Sequence, residues 1–314
     1  MTEENVGLVK TSDLVPAVVE TASTAVAARE KAGVEARFLM ALQQPRNPDQ
    51  ARLNILAACR RPRFAASVQY AKPIGGGKVT GLSIRFAEEA HRAWGNLYVR
   101  QDVVFDDRER RVYRVTGTDL ETNSTIEQDV IVEKFVERKN PKAGDDVIGS
   151  RTNSRGEKVY LKAATEDEIM VKAHALLSKA RRNIILSLIP SDIREEAEEV
   201  AMDTVKNRDA KDPEGSKKAV LDNFYQIGVS ADEVAQILGK ALTVLNPADL
   251  SLLRNLYTAI RDGDTTVQEV LGNEGMEMHR AGNKADAKKK GTAGLKAAVK
   301  KSDADILAED AELT

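Results

Sequence analysis

The sequence contains very little cysteine and almost no net charge. Cys59 is the only cysteine in 314 residues, so the chain has no internal disulfide and no thiolate cage for a metal ion. Its 47 basic and 49 acidic residues give a net charge of −2. This balance excludes the class of nucleic-acid-binding proteins that are basic over their whole length. No segment reaches the roughly 18 consecutive apolar residues of a membrane helix, and the acidic residues 1–5 lack the apolar core of a signal peptide. We therefore expect a protein of a reducing compartment, the cytoplasm, with no membrane partner.

The usual arrangements for catalysis and cofactor binding are missing as well. No metal-type ligand follows any of the histidines at a distance of three or four residues; these are His91, His174 and His279. The glycine run before Lys78 is not a phosphate loop, because Lys72 stands where a P-loop has its first glycine and Val79 where it has Ser or Thr. We predict no catalytic residue, no metal site and no cofactor.

Hydrophobic periodicity predicts an α+β fold. From Leu97 to Val136 apolar and polar residues alternate in three runs, separated by turns at 106–108 and 121–124. This pattern is typical of an antiparallel three-strand meander with one buried face. A capping-box pair, Thr165 and Glu168, opens a long helix over about 166–189 that packs on the sheet. Residues 216–272 predict a small C-terminal module of three helices with their own caps.

These elements predict four parts of the chain. Residues 1–44 form an N-terminal helical segment, 45–206 the core, 216–272 the helical module and 276–314 a tail. The tail is lysine-rich and then acidic, a composition that predicts disorder. We also expect a strand at about 64–71, a loop over 138–158 and a polar linker over 207–216.

The segment from Arg60 to Arg100 concentrates positive charge that the total conceals. Eight basic residues face only Glu88 and Glu89 there, a surplus of six charges. The eight are Arg60, Arg61, Arg63, Lys72, Lys78, Arg85, Arg92 and Arg100. Tyr70, Trp94 and Tyr98 lie among them, and basic side chains with flat rings are what a single-strand groove requires. The alternative is a solvated basic face, and we assign Trp94 to the core.

The long helix adds a second basic group. Its apolar stripe runs from Ile169 to Leu188. Arg181 lies at the edge of this stripe, where a half-buried arginine needs an anionic partner, either a structural carboxylate or a phosphate. Arg182 lies about 100° further toward solvent, and the polar side carries Lys172 and Lys179.

One pattern in the sequence is compatible with an enzyme, a metal-dependent nuclease. Asp119 ends the second predicted strand, and Glu137 with Lys139 forms a Glu-x-Lys pattern at the end of the third. Some nucleases hold Mg²⁺ with such residues. Charges at strand ends also simply cap a solvated edge.

Several stretches carry a family resemblance. They are 81–88 (GLSIRFAE) with 93–96 (AWGN), 119–123 (DLETN), 172–174 (KAH), 178–183 (SKARRN), 189–190 (IP), Phe224, 227–229 (IGV), 238–240 (LGK) and 252–257 (LLRNLY). Over about 45–272 the chain resembles the phage single-strand annealing proteins, namely the RecT, Redβ and ERF groups and the Rad-fifty-two-like annealers. In that family a basic pair on the long helix lines the DNA groove, and the positions that match it here are Arg181 and Arg182.

The resemblance implies a function. Members form rings or filaments, bind the DNA backbone with the bases exposed and need no ATP. We therefore expect an ATP-independent protein that binds and anneals single-stranded DNA in phage-type recombination, in the cytoplasm of a bacterial host, as a homo-oligomer. Residues 216–272 are then expected to recruit a phage exonuclease or the host single-strand binding protein. The alternatives are a Mg²⁺-dependent nuclease of the same pathway and an adaptor without DNA affinity.

The expected DNA-binding residues are Arg60, Arg61, Arg63, Lys72, Lys78, Arg85, Arg100, Lys172, Lys179, Arg181 and Arg182.

Overall fold

The computed structural model describes residues 22–74, 77–142, 144–153 and 156–271. The described helices are α1 (Ala22–Gln43), α2 (Pro48–Cys59), α3 (Pro62–Ala65), α4 (Ile84–Trp94), α5 (Glu166–Ser187), α6 (Ser191–Lys211), α7 (Pro213–Gln226), α8 (Ala231–Leu238), α9 (Pro247–Arg261) and α10 (Val267–Leu271). The described strands are β1 (Gln69–Ile74), β2 (Gly77–Leu82), β3 (Leu97–Asp106), β4 (Arg110–Asp119), β5 (Ser124–Glu133), β6 (Phe135–Arg138), β7 (Val147–Thr152) and β8 (Lys158–Ala163). By its internal contacts the chain forms two compact units, residues 1–45 and 46–314.

The predicted meander on a long helix is confirmed. Strands β3, β4 and β5 form an antiparallel sheet in chain order, and α5 packs on one of its faces. Val115 of β4 is fully buried there, together with Ala173 and Ile184 of α5. Thr165 and Glu168 form the predicted capping box that starts α5. The start of the helix, like the alternation in the strands, therefore follows from local sequence.

Gly117 allows α5 to approach β4 closely. A Cβ atom built on Gly117 would lie 2.2 Å from Cγ2 of Ile184 and 3.1 Å from Cδ1 of Leu188. Side chains never approach so closely, so any residue other than glycine would push the helix away from the sheet.

A second core lies between α2, α4 and α6. Trp94 is 6% exposed and Cys59 is fully buried, together with Phe86 and Ile185. The assignment of Trp94 to the core is therefore confirmed. Burial raises the pKa of the Cys59 thiol to about 12, so this cysteine is held as an unreactive thiol.

Three local predictions are wrong. The strand expected at 64–71 begins only at Gln69, because Pro62 starts the short helix α3 instead. The third long strand breaks at Lys134: β5 ends just before it, and β6 joins a different sheet in the order β6-β8-β7. The loop expected over 138–158 contains β7, a strand whose residues are mostly exposed and so lack an apolar alternation.

The prediction of a polar linker over 207–216 is also wrong. Helix α6 continues to Lys211, and the Asp212 side chain caps α7 by accepting a hydrogen bond from the Gly215 amide at 2.9 Å. Arg254 of α9 donates to Asp209 of α6 at 2.6 and 2.9 Å. The stretch is therefore helix and cap, tied to the C-terminal helices by a buried ion pair.

Three predictions concern residues that the structure does not describe. The N-terminal segment predicted over 1–44 contains α1, and its residues 1–21 lie outside the described residues. The tail at 276–314 lies outside the described residues, as do Gly75 and Gly76 of the glycine run. In the part of the chain that is described, none of the helices has a stretch long and apolar enough to cross a membrane.

The contact at Gly117 generates the first testable prediction. We expect Gly117→Ala to lower the free energy of unfolding by about 1–3 kcal/mol, since the new methyl group overpacks the sheet–helix contact. The same change should cost less in an Ile184→Ala background, which removes the clashing Cγ2 atom. Urea unfolding of the four proteins measures this coupling.

The matched control is Gly149→Ala in β7. A Cβ atom there would meet only Cδ1 of Leu161, at an ordinary 3.7 Å, so we expect a much smaller change. Equal destabilisation by both substitutions, or a Gly117→Ala cost that Ile184→Ala leaves unaltered, would contradict the close-approach argument.

Candidate nucleic-acid interface

Part of the basic surplus between Arg60 and Arg100 is neutralised by the two glutamates in the same segment. Glu89 accepts hydrogen bonds from Arg61 at 2.6 Å and from Arg92 at 2.7 Å. Burial alone would raise the pKa of Glu89, but these two guanidinium groups lower it below its usual value. Glu88 pairs with Arg181 of α5 at 3.2 Å. Glu89 is thus paired with the predicted site residue Arg61, and Glu88 with the predicted site residue Arg181.

Three other predicted site residues also have partners within the protein. Arg85 contacts Asp262, at the end of α9, at 3.3 Å. Arg100 forms a two-point ion pair with Asp102, two residues along β3. The Lys172 ammonium group donates to the carbonyl oxygens of Glu133 and Phe135 at 2.9 and 2.8 Å. These three side chains stabilise the fold and offer little free charge to a ligand.

The predicted orientation of Arg182 is wrong. Arg182 is 4% exposed, its guanidinium group lies 4.4 Å from the centre of the Tyr70 ring and it donates to Asp264 at 2.5 Å. The periodicity of α5 showed only the face that packs on the sheet. The hairpin β1–β2 and the residues after α9 cover a second face, and they bury Arg182.

Arg181 keeps the predicted half-buried position. Its side chain is 37% exposed, and its anionic partner is Glu88. Of the two partners considered from the sequence, the structural carboxylate is therefore the one present. Of the two arginines, only Arg182 therefore departs from its predicted position.

Five of the predicted residues have no such partner. Within the described ranges Arg60, Arg63, Lys72, Lys78 and Lys179 form no ion pair and no side-chain hydrogen bond. All except Lys72 are exposed, and Lys72 is partly exposed. These are the predicted site residues whose charge no described side chain neutralises.

Two of these lysines lie beside the stack of Arg182 on Tyr70. Lys179 precedes Arg182 by three residues on α5, so the two are neighbours on one helix face. Lys72 lies two residues after Tyr70 on β1 and therefore on the same face of the hairpin. Gly81 pairs with Tyr70 across the hairpin; a Cβ atom there would lie 3.0 Å from the ring. The Tyr70–Arg182 contact thus joins α5 to the hairpin, with Lys179 one helical turn before Arg182 and Lys72 on the same strand face as Tyr70. We call these four residues the α5–hairpin seam.

The residues of the nuclease pattern are engaged in separate structural contacts. Asp119 is 4% exposed and accepts two hydrogen bonds of 3.0 Å from Arg46. Glu137 accepts hydrogen bonds from Arg151 at 2.8 and 2.6 Å. No group of three or more His, Cys, Asp or Glu side chains that could hold a metal ion occurs among the described residues. The arrangement therefore gives no support to the nuclease alternative.

Arg46 is a key residue that the sequence reasoning did not single out. Besides Asp119, its guanidinium group binds the carbonyl oxygens of Trp94 and Gly95 at 2.9 and 3.1 Å. It also lies 4.6 Å from the centre of the Trp94 ring. Its only sequence signal is its place directly before the Asn47 cap of α2, which does not distinguish it from the other arginines of the chain.

Comparison with known proteins identifies no relative: no family model, no curated protein and no solved structure matches the chain.

The Arg46–Asp119 pair generates a prediction about stability and pH. Burial alone would raise the pKa of Asp119, but Arg46 and the backbone amides of Glu121 and Thr122 lower it. We expect Asp119→Asn to cost about 3–5 kcal/mol of unfolding free energy at neutral pH. The substitution removes the carboxylate that binds the buried Arg46 at two points and leaves Glu121, at 3.8 Å, as its remaining anionic partner. An aspartate with a depressed folded pKa stabilises the fold above its unfolded pKa, about 3.9, and that contribution is lost as the pH falls further. The difference between wild type and variant should therefore narrow below about pH 4.

The control is Asp129→Asn. Asp129 pairs with Arg114 across β4 and β5 at 2.8 Å, but both side chains are more than 40% exposed. An exposed pair contributes about 0–1 kcal/mol. Denaturant unfolding at several pH values compares the variants, and an Asp119→Asn cost as small as that of Asp129→Asn would contradict a structural role for Arg46.

Proposed function

We propose that this protein binds single-stranded DNA and anneals complementary strands without ATP, in phage-type recombination, as a homo-oligomer. The observation that carries the proposal is the α5–hairpin seam. Lys72 and Lys179 lie there beside the Tyr70–Arg182 stack, and neither forms an ion pair with another described residue. The order of a three-strand meander followed by a long helix, which the resemblance to phage annealing proteins implies, is present in the fold.

The chemistry of the seam suits a DNA backbone. Two unpaired ammonium groups neutralise phosphates and release counterions on binding. Tyr70 offers a ring edge beside them, while its face is occupied by Arg182. A protein that holds the backbone in this way leaves the base edges free to test a second strand.

Annealing then requires no covalent step. Two single strands repel each other as polyanions, and bound cationic side chains reduce this repulsion. One protomer supplies only a few phosphate contacts. An oligomer, a ring or a filament, is the way for such a protein to hold a long strand.

The experiment compares two double variants that remove the same charge. Lys72→Ala with Lys179→Ala removes the two seam lysines. Lys211→Ala with Lys218→Ala removes two exposed lysines of α6 and α7. Fluorescence anisotropy with a labelled oligothymidine, over a range of salt concentrations, measures affinity and its salt dependence.

We expect the seam variant to bind about 5- to 30-fold more weakly, as for a loss of one or two kcal/mol. The plot of log affinity against log salt concentration should become less steep by about 1.4, since each lost single-strand phosphate contact removes about 0.7 from the slope. The control variant should behave as wild type. Equal effects of the two variants would remove the α5–hairpin seam from the site.

An annealing assay tests the function itself. The wild-type protein should accelerate the pairing of complementary oligonucleotides in buffer with EDTA and without ATP. A protein without affinity for single strands would be an adaptor. Loss of labelled DNA ends on addition of Mg²⁺ would instead reveal a nuclease.

A further inference from the structure

A small cavity on the C-terminal side of the molecule is lined by arginines. It has a volume of about 120 Å³ and lies between α3, α6, α7 and α9. The charged lining residues are Arg63, Arg208, Arg254 and Arg261, and Asn223 and Thr258 add neutral polar groups. Among the described residues that line it, none is an aspartate or a glutamate. We call it the arginine pocket.

The carboxylates behind the pocket do not balance its charge. Asp209 accepts two hydrogen bonds from Arg254, at 2.6 and 2.9 Å, and contacts Arg208 at 3.3 Å. Burial alone would raise the pKa of Asp209, but Arg254 and Ser216 lower it, so it is ionised. One carboxylate therefore serves two guanidinium groups.

Arg261, a second lining arginine, also shares its carboxylate with another arginine. Asp262 pairs with Arg261 at 2.8 Å and also with Arg85 at 3.3 Å. Arg63, from α3, forms no ion pair within the described part of the chain. Two carboxylates thus serve the four arginines that line the pocket, which leaves an excess of two positive charges.

The pocket is also preorganised. Arg254 is 6% exposed and is fixed by its two-point contact with Asp209. Arg208 donates to the carbonyl oxygen of Pro62 at 3.3 Å. The guanidinium group of Arg261 lies 5.7 Å from the centre of the Tyr257 ring, one turn earlier on α9. Guanidinium groups held in this way match the oxygens of a phosphate and lose little entropy when they bind one.

We propose that the arginine pocket binds a single phosphate group. Four arginines that line one small cavity and share two carboxylates repel one another, and an anion between them relieves this repulsion. The volume is well below the roughly 300 Å³ at which small-molecule sites begin, so it suits one tetrahedral oxyanion and not a whole nucleotide. The phosphate is either free inorganic phosphate or the terminal phosphomonoester of a nucleic acid. This site is distinct from the α5–hairpin seam and does not depend on the annealing function.

The first measurement is calorimetric titration of the full chain with inorganic phosphate at constant ionic strength. We expect saturable binding by the wild type and binding at least about tenfold weaker in Arg63→Gln, which removes one charged donor. Arg63 is exposed and forms no ion pair with another described residue, so this variant should fold. Arg60→Gln is the matched control, because Arg60 is also exposed and unpaired among the described residues but does not line the pocket.

The second measurement identifies the source of the phosphate. Affinities for one oligonucleotide with a 5′-phosphate and with a 5′-hydroxyl are compared in wild type and in Arg63→Gln. If the wild type prefers the phosphorylated end and Arg63→Gln abolishes this preference, the pocket binds the terminus of a nucleic acid. Equal affinity for the two ends, with inorganic phosphate still bound through Arg63, assigns it to free phosphate. The proposal is overturned if the wild type shows no saturable phosphate binding, or if Arg63→Gln and Arg60→Gln bind phosphate equally well.

Discussion

The buried ion pair between Arg46 and Asp119 holds three elements of the molecule in place. Arg46 lies just before α2, Asp119 ends β4, and the carbonyl oxygens of Trp94 and Gly95, which Arg46 also binds, end α4. Both side chains are almost inaccessible, at 7% and 6%. A charge in such a position is tolerated only with its full set of partners. The placement of the meander against α4 therefore depends on all of these hydrogen bonds together.

The same principle recurs in the C-terminal half. Arg182 joins α5 to the residues after α9 through Asp264, and Arg254 joins α9 to α6 through Asp209. In both pairs each side chain is less than 10% exposed. A buried arginine needs a carboxylate placed to accept its hydrogen bonds. These contacts therefore favour one arrangement of the helices over others that would bury similar apolar area. They also explain why a predicted linker is in fact a rigid junction.

Local signals in the sequence predicted much of the fold. The capping box of α5 and the alternation in β3 to β5 each involve residues that are close together in the chain, so local sequence was enough to predict them. The orientation of Arg182 could not, because Tyr70 is 112 positions away by the printed numbering and Asp264 is 82. For the same reason the sequence supplied a set of basic residues that includes Lys72 and Lys179 but could not separate them from Arg85 or Arg181, whose carboxylate partners come from other parts of the chain.

The location of the ion pairs has a practical consequence. Dissolved salt screens exposed charges over a Debye length of roughly 8–10 Å at moderate ionic strength, but it hardly reaches pairs that exclude water. The pairs of Arg46, Arg182 and Arg254 are of the second kind, whereas the lysines of the seam are open to solvent. A concentrated salt wash should thus strip any polyanion carried over from a cell extract while the protein stays folded, so that nucleic-acid-free material can be prepared without refolding.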